Sequence, residues 1–298
     1  MELAGHKCLG FCEFNKYATA SYTSMHLITD EQRNELLEIP MKKRLKEINQ
    51  EVYRNGEWYS NDIRTVETRC MPRADCWCFG FPCQDISIAG KQLGFYGRRS
   101  SLFFTVTGLI ENLEEKDRPS ILFIENVKNL LSINGGFDFA RVLVELDKIG
   151  YDAEWCILNS KDFGVPHHRE RVFIIGHLRG RCSSEVFPLR QTITKTRIEV
   201  VGKLQGKRRQ RNDILSVNGL STCLDTMQGG NHEPKIMITT AKGTEVRKVT
   251  PRECFRLQGW TDEYFDRAAM VNSDSQLYKQ AGNGVTVNVI QAIAERFN

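Results

Sequence analysis

Apolar runs of strand length alternate with longer mixed stretches over the first 176 residues. Lys7-Cys8-Leu9-Gly10-Phe11-Cys12-Glu13 reads as a strand ending on an acid, behind a last helical turn that Gly5 stops. Cys76-Trp77-Cys78-Phe79 reads as a buried strand that ends at Gly80. The same pattern returns at Ser120-Ile121-Leu122-Phe123-Ile124, at Trp155-Cys156-Ile157-Leu158-Asn159 and at Val172-Phe173-Ile174-Ile175-Gly176. Helical character fills Ser101 to Glu114 and residues 137–149, the latter stopped by Gly150. Residues 28–53 are charged and helix-forming with a break at Pro40, which predicts a surface insertion without chemistry. Strands alternating with helices to residue 176 predict an α/β doubly wound domain, residues 1–178.

The periodicity then fails. Residues 179–245 are rich in Thr, Ser, Asn, Gln and Gly, which predicts a small loop-rich second domain. Thr250-Pro251-Arg252-Glu253 is a helix start, with Thr at the N-cap, Pro at the first position and Glu at the third. Tyr278 to Phe297 returns to α/β character, and residues 246–298 complete the first domain, with Gly282-Asn283-Gly284 predicted to open the final helix.

Charge sharpens this division. Residues 179–215 hold ten Lys and Arg against three acids, an excess of seven, so the rest of a chain of net charge +4 is acidic by three. A basic segment on a slightly acidic body is the footprint of polyanion binding, or else a solvated basic loop. No run is long and apolar enough to span a membrane, and no signal peptide opens the chain. The ten cysteines are scattered, with no CxxC pair matched by a second ligand pair, so no metal site is predicted. Reduced thiols in a cytoplasmic protein are the expectation.

The candidate chemistry stands at strand carboxyl ends, where open α/β sheets bind ligands. Cys83 follows Gly80-Phe81-Pro82 there, as a nucleophile or as buried packing, the more frequent state of a free cysteine. Glu13 suits a ribose diol or a surface charge; Asp62 suits an adenine amino group or, from position alone, a turn. Glu125 ends a second strand, an acid to pair with Cys83 on one rim. Arg169 and Arg171 share a face if extended and suit an oxyanion or carbonyl oxygen, whereas His167 and His168 point oppositely and make a poor metal site. Residues 85–100, with three glycines and several hydroxyl and basic groups, read as a lid.

Taken together the chain resembles the cytosine-C5 DNA methyltransferases, the bacterial and phage modification methylases. Six blocks carry the resemblance in the family's order: Gly80-Phe81-Pro82-Cys83-Gln84, Arg99-Ser100-Ser101-Leu102-Phe103-Phe104, Glu125-Asn126-Val127, Arg169-Glu170-Arg171 through Gly176, Thr250 through Gly259, and Gln280-Ala281-Gly282-Asn283-Gly284-Val285. The resemblance implies a Rossmann-like S-adenosylmethionine-dependent methyltransferase sheet, with residues 179–245 as target recognition domain. It makes Cys83 the thiolate that adds to cytosine C6, Glu125 the group at N3, and Arg171, aided by Arg169, the grip on O2. The cofactor, S-adenosylmethionine, would meet Glu13 at its ribose, Phe14 against adenine, and Asp62 with Ile63 at the amino group. Pro82, Leu102 and Asn283 would complete that pocket. The target base would be flipped out of duplex DNA under the lid, where Gln84 and Ser87 are DNA contacts. Gln205, Lys207 and Arg208, with Gln228, Gly229 and Gly230, are the candidates for two recognition loops. A monomer is expected, with a cognate restriction endonuclease as a possible functional partner.

The family's first block, a glycine-rich turn after a central strand, would stand roughly twenty residues before Glu13, by the size of a βα unit. No such block precedes Glu13 in this sequence. The expectation is therefore a cofactor pocket short of one wall and an exposed sheet edge, with poor or no activity unless that part is supplied. Gly97 also stands where an acid is common, and Ser221-Thr222-Cys223-Leu224 blurs the family's Thr-Leu pair. The competing readings are an RNA (tRNA) cytosine-C5 methyltransferase on the same fold and an inactive DNA-binding remnant. A nicotinamide oxidoreductase is left little room by the Pro-Cys and Glu-Asn-Val blocks.

Overall fold

The computed structural model describes residues 1–82, 101–181, 184–192, 195–204, 212–227, 232–241 and 243–297. Its first strand, β1 (Gly10–Cys12), pairs in parallel with β2 (Trp58–Ser60). Only three of the seven residues expected in strand 7–13 take that form. Gly10 is required there, because a Cβ would stand 2.7 Å from the Trp58 carbonyl oxygen. Between these strands lie α1 (Lys16–Tyr22), α2 (Asp30–Glu38) and α3 (Met41–Ile48). The stretch 28–53 is not a surface insertion. Pro40 caps the start of α3 and turns the chain so that Leu36 and Ile48 are fully buried against Ala20 and Val271. Arg44 ties α3 down by donating to the carbonyls of Ile39 (2.7 Å) and Met270 (3.3 Å).

The principal sheet comes next: β3 (Cys76–Gly80), α4 (Ser101–Glu111), β4 (Ile121–Val127), α5 (Phe137–Lys148), β5 (Tyr151–Asn159) and β6 (Glu170–Leu178), in the spatial order β3-β4-β6-β5. β3 and β4 are parallel. β6 runs antiparallel to both its neighbours, because residues 160–169 return the chain without a crossover helix. The alternation along β4 and β6 supplies two cores. Leu122, Ile124, Val172 and Ile174 face α4 and α5, while Phe123, Phe173 and Ile175 face α9 (Val287–Ala294) and Val186. Burial on both faces is what the continuous apolar runs encode. β3 departs from the buried strand expected, for Cys78 and Gly80 are exposed and Trp77 and Phe79 half-buried. The reason is position: among the described residues no strand pairs with its second edge, nor with the second edge of β1.

A third sheet, ordered β10-β9-β8-β7, is built from β7 (Val200–Lys203), β8 (Asp213–Ser216), β9 (Lys235–Thr240) and β10 (Gly243–Lys248). Residues 185–187, though beyond residue 178, stay on the principal sheet. Val186 is buried against Phe173 and Ile175, and the amides of Val186 and Phe187 donate to the Glu154 carboxylate at 2.7 and 3.0 Å. The chain closes with α6 (Pro251–Leu257), α7 (Asp262–Ala269), α8 (Asp274–Asn283) and α9. Thr250 and Glu253 form the capping box that opens α6, as their spacing predicts. Gly282-Asn283-Gly284 does not open the last helix. It ends α8, where the Gly284 amide donates to the Gln280 carbonyl at 2.7 Å, and Thr286 is the N-cap of α9.

Candidate active site

The β3–β4 register sets Gly80 beside Glu125, and the β4–β6 register sets Val127 beside Arg171. Glu125 and Arg171 thus leave neighbouring central strands on one face, and Arg171 Nε meets Glu125 Oε1 at 3.0 Å. Burial pushes the Glu125 carboxyl above its ordinary range, opposed by the charges of Arg171 and Arg169. A buried carboxyl of this kind can hold or give a proton, and the guanidinium beside it can stabilise charge on an oxygen. Asn126 is buried and donates through Nδ2 to the Phe81 carbonyl at 2.8 Å, fixing the backbone two residues before Cys83 in sequence.

Arg169 has a different setting. It is 3% exposed, and its guanidinium donates to three backbone carbonyls: Leu224 (3.2 Å), Gly282 (3.0 Å) and Gly284 (2.8 Å). Burial and the nearby Arg171 charge lower its pKa from the ordinary value, though an arginine remains cationic. The shared face expected of the two arginines is visible at Cys223, whose Sγ lies 3.6 Å from Arg169 Nη1 and 3.9 Å from both Nη atoms of Arg171. Only Arg171 reaches Glu125. Behind them a buried polar chain links Gln258 to Thr286 (2.8 Å) and Thr286 to Ser160 (2.7 Å), while Gln258 Nε2 donates to the Ala281 carbonyl at 2.6 Å.

On the other side of β3 lies a cavity of about 1480 Å³. Glu13, Phe14, Asp62, Ile63, Pro82 and Leu102 all line it; Asn283, exposed at the end of α8, does not. Glu13 Oε1 accepts from the Asn15 amide at 2.7 Å. Asp62 caps the turn at Ile63–Thr65 and both its oxygens are engaged by Arg64, which holds its carboxyl down at about 2. So the turn reading of Asp62 holds while the residue also faces the cavity. Phe14 is 77% exposed, an aromatic face open to a flat ring. A strand-end carboxylate and an open aromatic ring suit a nucleoside, so these residues fit the adenosine half of such a cofactor.

Cys83, Gln84, Ser87, Gln205, Lys207, Arg208, Gln228, Gly229 and Gly230 lie outside the described residues. Among the described residues no group of three His, Cys, Asp or Glu side chains could hold a metal ion, and no helix is long and apolar enough to cross a membrane. Four residues of the site escape a reading by residue type: Asn126, His167, Cys223 and Gln258. Asn126 and Gln258 stand inside blocks that carry chemistry, a usable signal; His167 shows in sequence only as half of a poor metal pair and Cys223 only within a blurred Thr-Leu pair.

A family model described as C-5 cytosine-specific DNA methylase matches residues 32–216 and 186–298. The chain is 30% identical to the Type II methyltransferase M2.ScrFI of Lactococcus lactis subsp. cremoris over 333 residues, covering 97% of this chain and 91% of that one. It is 32% identical to the Type II methyltransferase M.HhaI of Haemophilus parahaemolyticus over 288 residues, covering 82% and 83%. The fold superposes on the crystal structure of the S. pombe Dnmt2 methyltransferase with a TM-score of 0.65 at 16% identity, over 99% of this chain and 92% of that one.

Proposed function

The chain belongs to the C-5 cytosine-specific DNA methylase family, and on that premise we propose that it methylates C5 of a flipped-out cytosine in duplex DNA. The observation that carries this reading is the Glu125–Arg171 pair at 3.0 Å, on central strands beside the strand end that leads to Cys83. In the reading, the Cys83 thiolate forms a bond to C6, and the C5–C6 π electrons move to C5. Glu125, whose burial favours its protonated form against the nearby Arg171 and Arg169 charges, gives a proton at N3 as the ring takes up electrons, and Arg171 stabilises O2. S-adenosylmethionine, when bound, supplies the methyl group that C5 attacks. Loss of the C5 proton to water, expulsion of the thiolate and return of the N3 proton to Glu125 then restore the aromatic ring.

Glu13 and Phe14 would hold the ribose and adenine of that cofactor. Asp62, Ile63, Pro82 and Leu102 shape the rest of the cavity, with Asn283 farther off. Residues 179–245 would read the duplex, with Gln205, Lys207, Arg208, Gln228, Gly229 and Gly230 as loop contacts joined by Gln84 and Ser87. The relatives named as Type II methyltransferases support a role in restriction–modification; a cognate endonuclease, a cytoplasmic location and a monomeric state belong to the same proposal. That β1 and β3 each pair along one edge only among the described residues favours one second reading, a DNA-binding remnant without turnover.

A pool of random duplexes carrying 5-fluorocytosine, incubated with the protein and S-adenosylmethionine, separates these readings. Methyl transfer predicts a covalent protein–DNA adduct that is absent in Cys83→Ser. DNA retention without any adduct in the wild type would sink the catalytic reading and leave the remnant.

A further inference from the structure

We infer that His167 is a positioning residue: with Arg169 it grips the Leu224 peptide from both ends and so fixes segment 221–225 against the Glu125–Arg171 pair. The inference rests on the proposed reading of that pair as the cytosine site. His167 is fully buried, and its Nε2 lies 3.2 Å from the Leu224 amide nitrogen. Two residues on, Arg169 Nη1 donates to the carbonyl of the same Leu224 at 3.2 Å. Side chains at i and i+2 of an extended stretch point the same way, which lets one pair hold both polar groups of one residue.

The backbones run together there as well. The Ser221 amide donates to Pro166 at 2.8 Å, and the His168 amide donates to Ser221 at 2.9 Å. The segment is also wedged from behind, because a Cβ on Gly282 would overlap the Asp225 carbonyl. Cys223, next to Leu224, contacts both arginines. Any slip of residues 223–225 therefore changes what surrounds Arg171.

Holding the Leu224 amide requires a lone pair on Nε2, and a protonated imidazole has none to give. Burial and the Arg169 charge lower the His167 pKa to about 3, so the ring stays neutral through the physiological range. The proton then sits on Nδ1, which completes no hydrogen bond of good geometry although the Leu257 carbonyl is near enough to favour it slightly. The cost of that orphaned donor is carried for the sake of the acceptor on the other side.

The test uses the full chain with His167→Leu, which removes the acceptor, and His167→Gln, which restores one on a side chain of similar reach. Two readouts are taken. The first is the alkylation rate of Cys223, located by mass spectrometry, which needs no turnover. The second is kcat and the KM for S-adenosylmethionine on duplex DNA. Leaving the Leu224 amide unpaired is expected to speed Cys223 alkylation and to lower kcat by about tenfold or more, with KM near the wild-type value, and Gln is expected to recover most of both. Unchanged alkylation and kcat in the Leu variant would overturn the inference, as would equal losses with Gln and Leu. If the Leu variant does not fold, Gln against Asn decides, since only the longer amide reaches Leu224. If alkylation responds as expected but no form of the protein methylates DNA, the clasp stands and the proposed function falls.

Discussion

The two sides of β3 are built to different tolerances. On the β4 side, Glu125, Arg171, Arg169 and His167 have fixed partners and are mostly or wholly buried. On the β1 side, Phe14 stands open and the lining of the large cavity includes β1 and β3, which among the described residues are each bonded along one edge only. β4 and β6 are hydrogen-bonded on both edges and covered on both faces, so a side chain leaving them has one place to go. β1 and β3 each lack a partner on one edge among the described residues, and Glu13 after β1 and Asp62 after β2 are held by local turns. The Glu125–Arg171 side is therefore pre-organised, and the cavity side is where added structure would tighten the site.

Breaking the rigid side should have the largest effect. Arg169→Leu strands three buried carbonyls and removes a buried cation, so unfolding free energy is expected to fall by about 3–5 kcal/mol. Urea titration measures it; a loss under about 1 kcal/mol would show the clasp to be dispensable.

The open side rests on its own small core, where Leu36 is fully buried and its neighbour Leu37 is 47% exposed. Leu36→Ala should cost about 2–4 kcal/mol and Leu37→Ala less than about 0.5. Hydrogen exchange should place the loosening in α1–α3 and β1–β2, with β4 and β6 unaffected; spread into β4 would erase the contrast between the sides.

The smallest effect is electrostatic, and its sign differs between the sides. Burial raises the Glu125 pKa above its ordinary 4.5, so the folded chain binds that proton more tightly than the unfolded one. Stability from this group is full below 4.5 and is lost as pH rises through the raised value. Asp62 is held at about 2 by Arg64, so its contribution is present above the ordinary 3.8 and lost as pH falls toward 2. Denaturation midpoints across pH 2–8 should flatten on the high side in Glu125→Gln and on the low side in Asp62→Asn. Matching changes in both variants would contradict the assignment.

Much of this site was legible because its residue types are tied to strand ends. An apolar run that stops at Glu125 or at Gly80 marks its own chemistry, and the capping box at Thr250 marks its own helix. Two expectations failed for reasons that no local window contains. Residues 28–53 look like solvated surface because Leu36 and Ile48 stand among charges, yet they meet each other, Ala20, Ile28 and Tyr53 in one cluster that Val271, more than 200 positions on, helps to cover. Gly282-Asn283-Gly284 reads equally as a helix start or stop, and the packing of Gly282 against Asp225 goes with the stop.

By itself the sequence determined the α/β alternation, the family blocks, and which carboxylate and arginine stand at strand ends. Only the tertiary structure decided that Arg171 meets Glu125 while Arg169 turns away to hold Leu224, Gly282 and Gly284. The two arginines are alike in type and two residues apart. What separates them is the surrounding backbone, brought in from 55 to 115 residues away, which leaves Arg169 buried among carbonyls that need a donor.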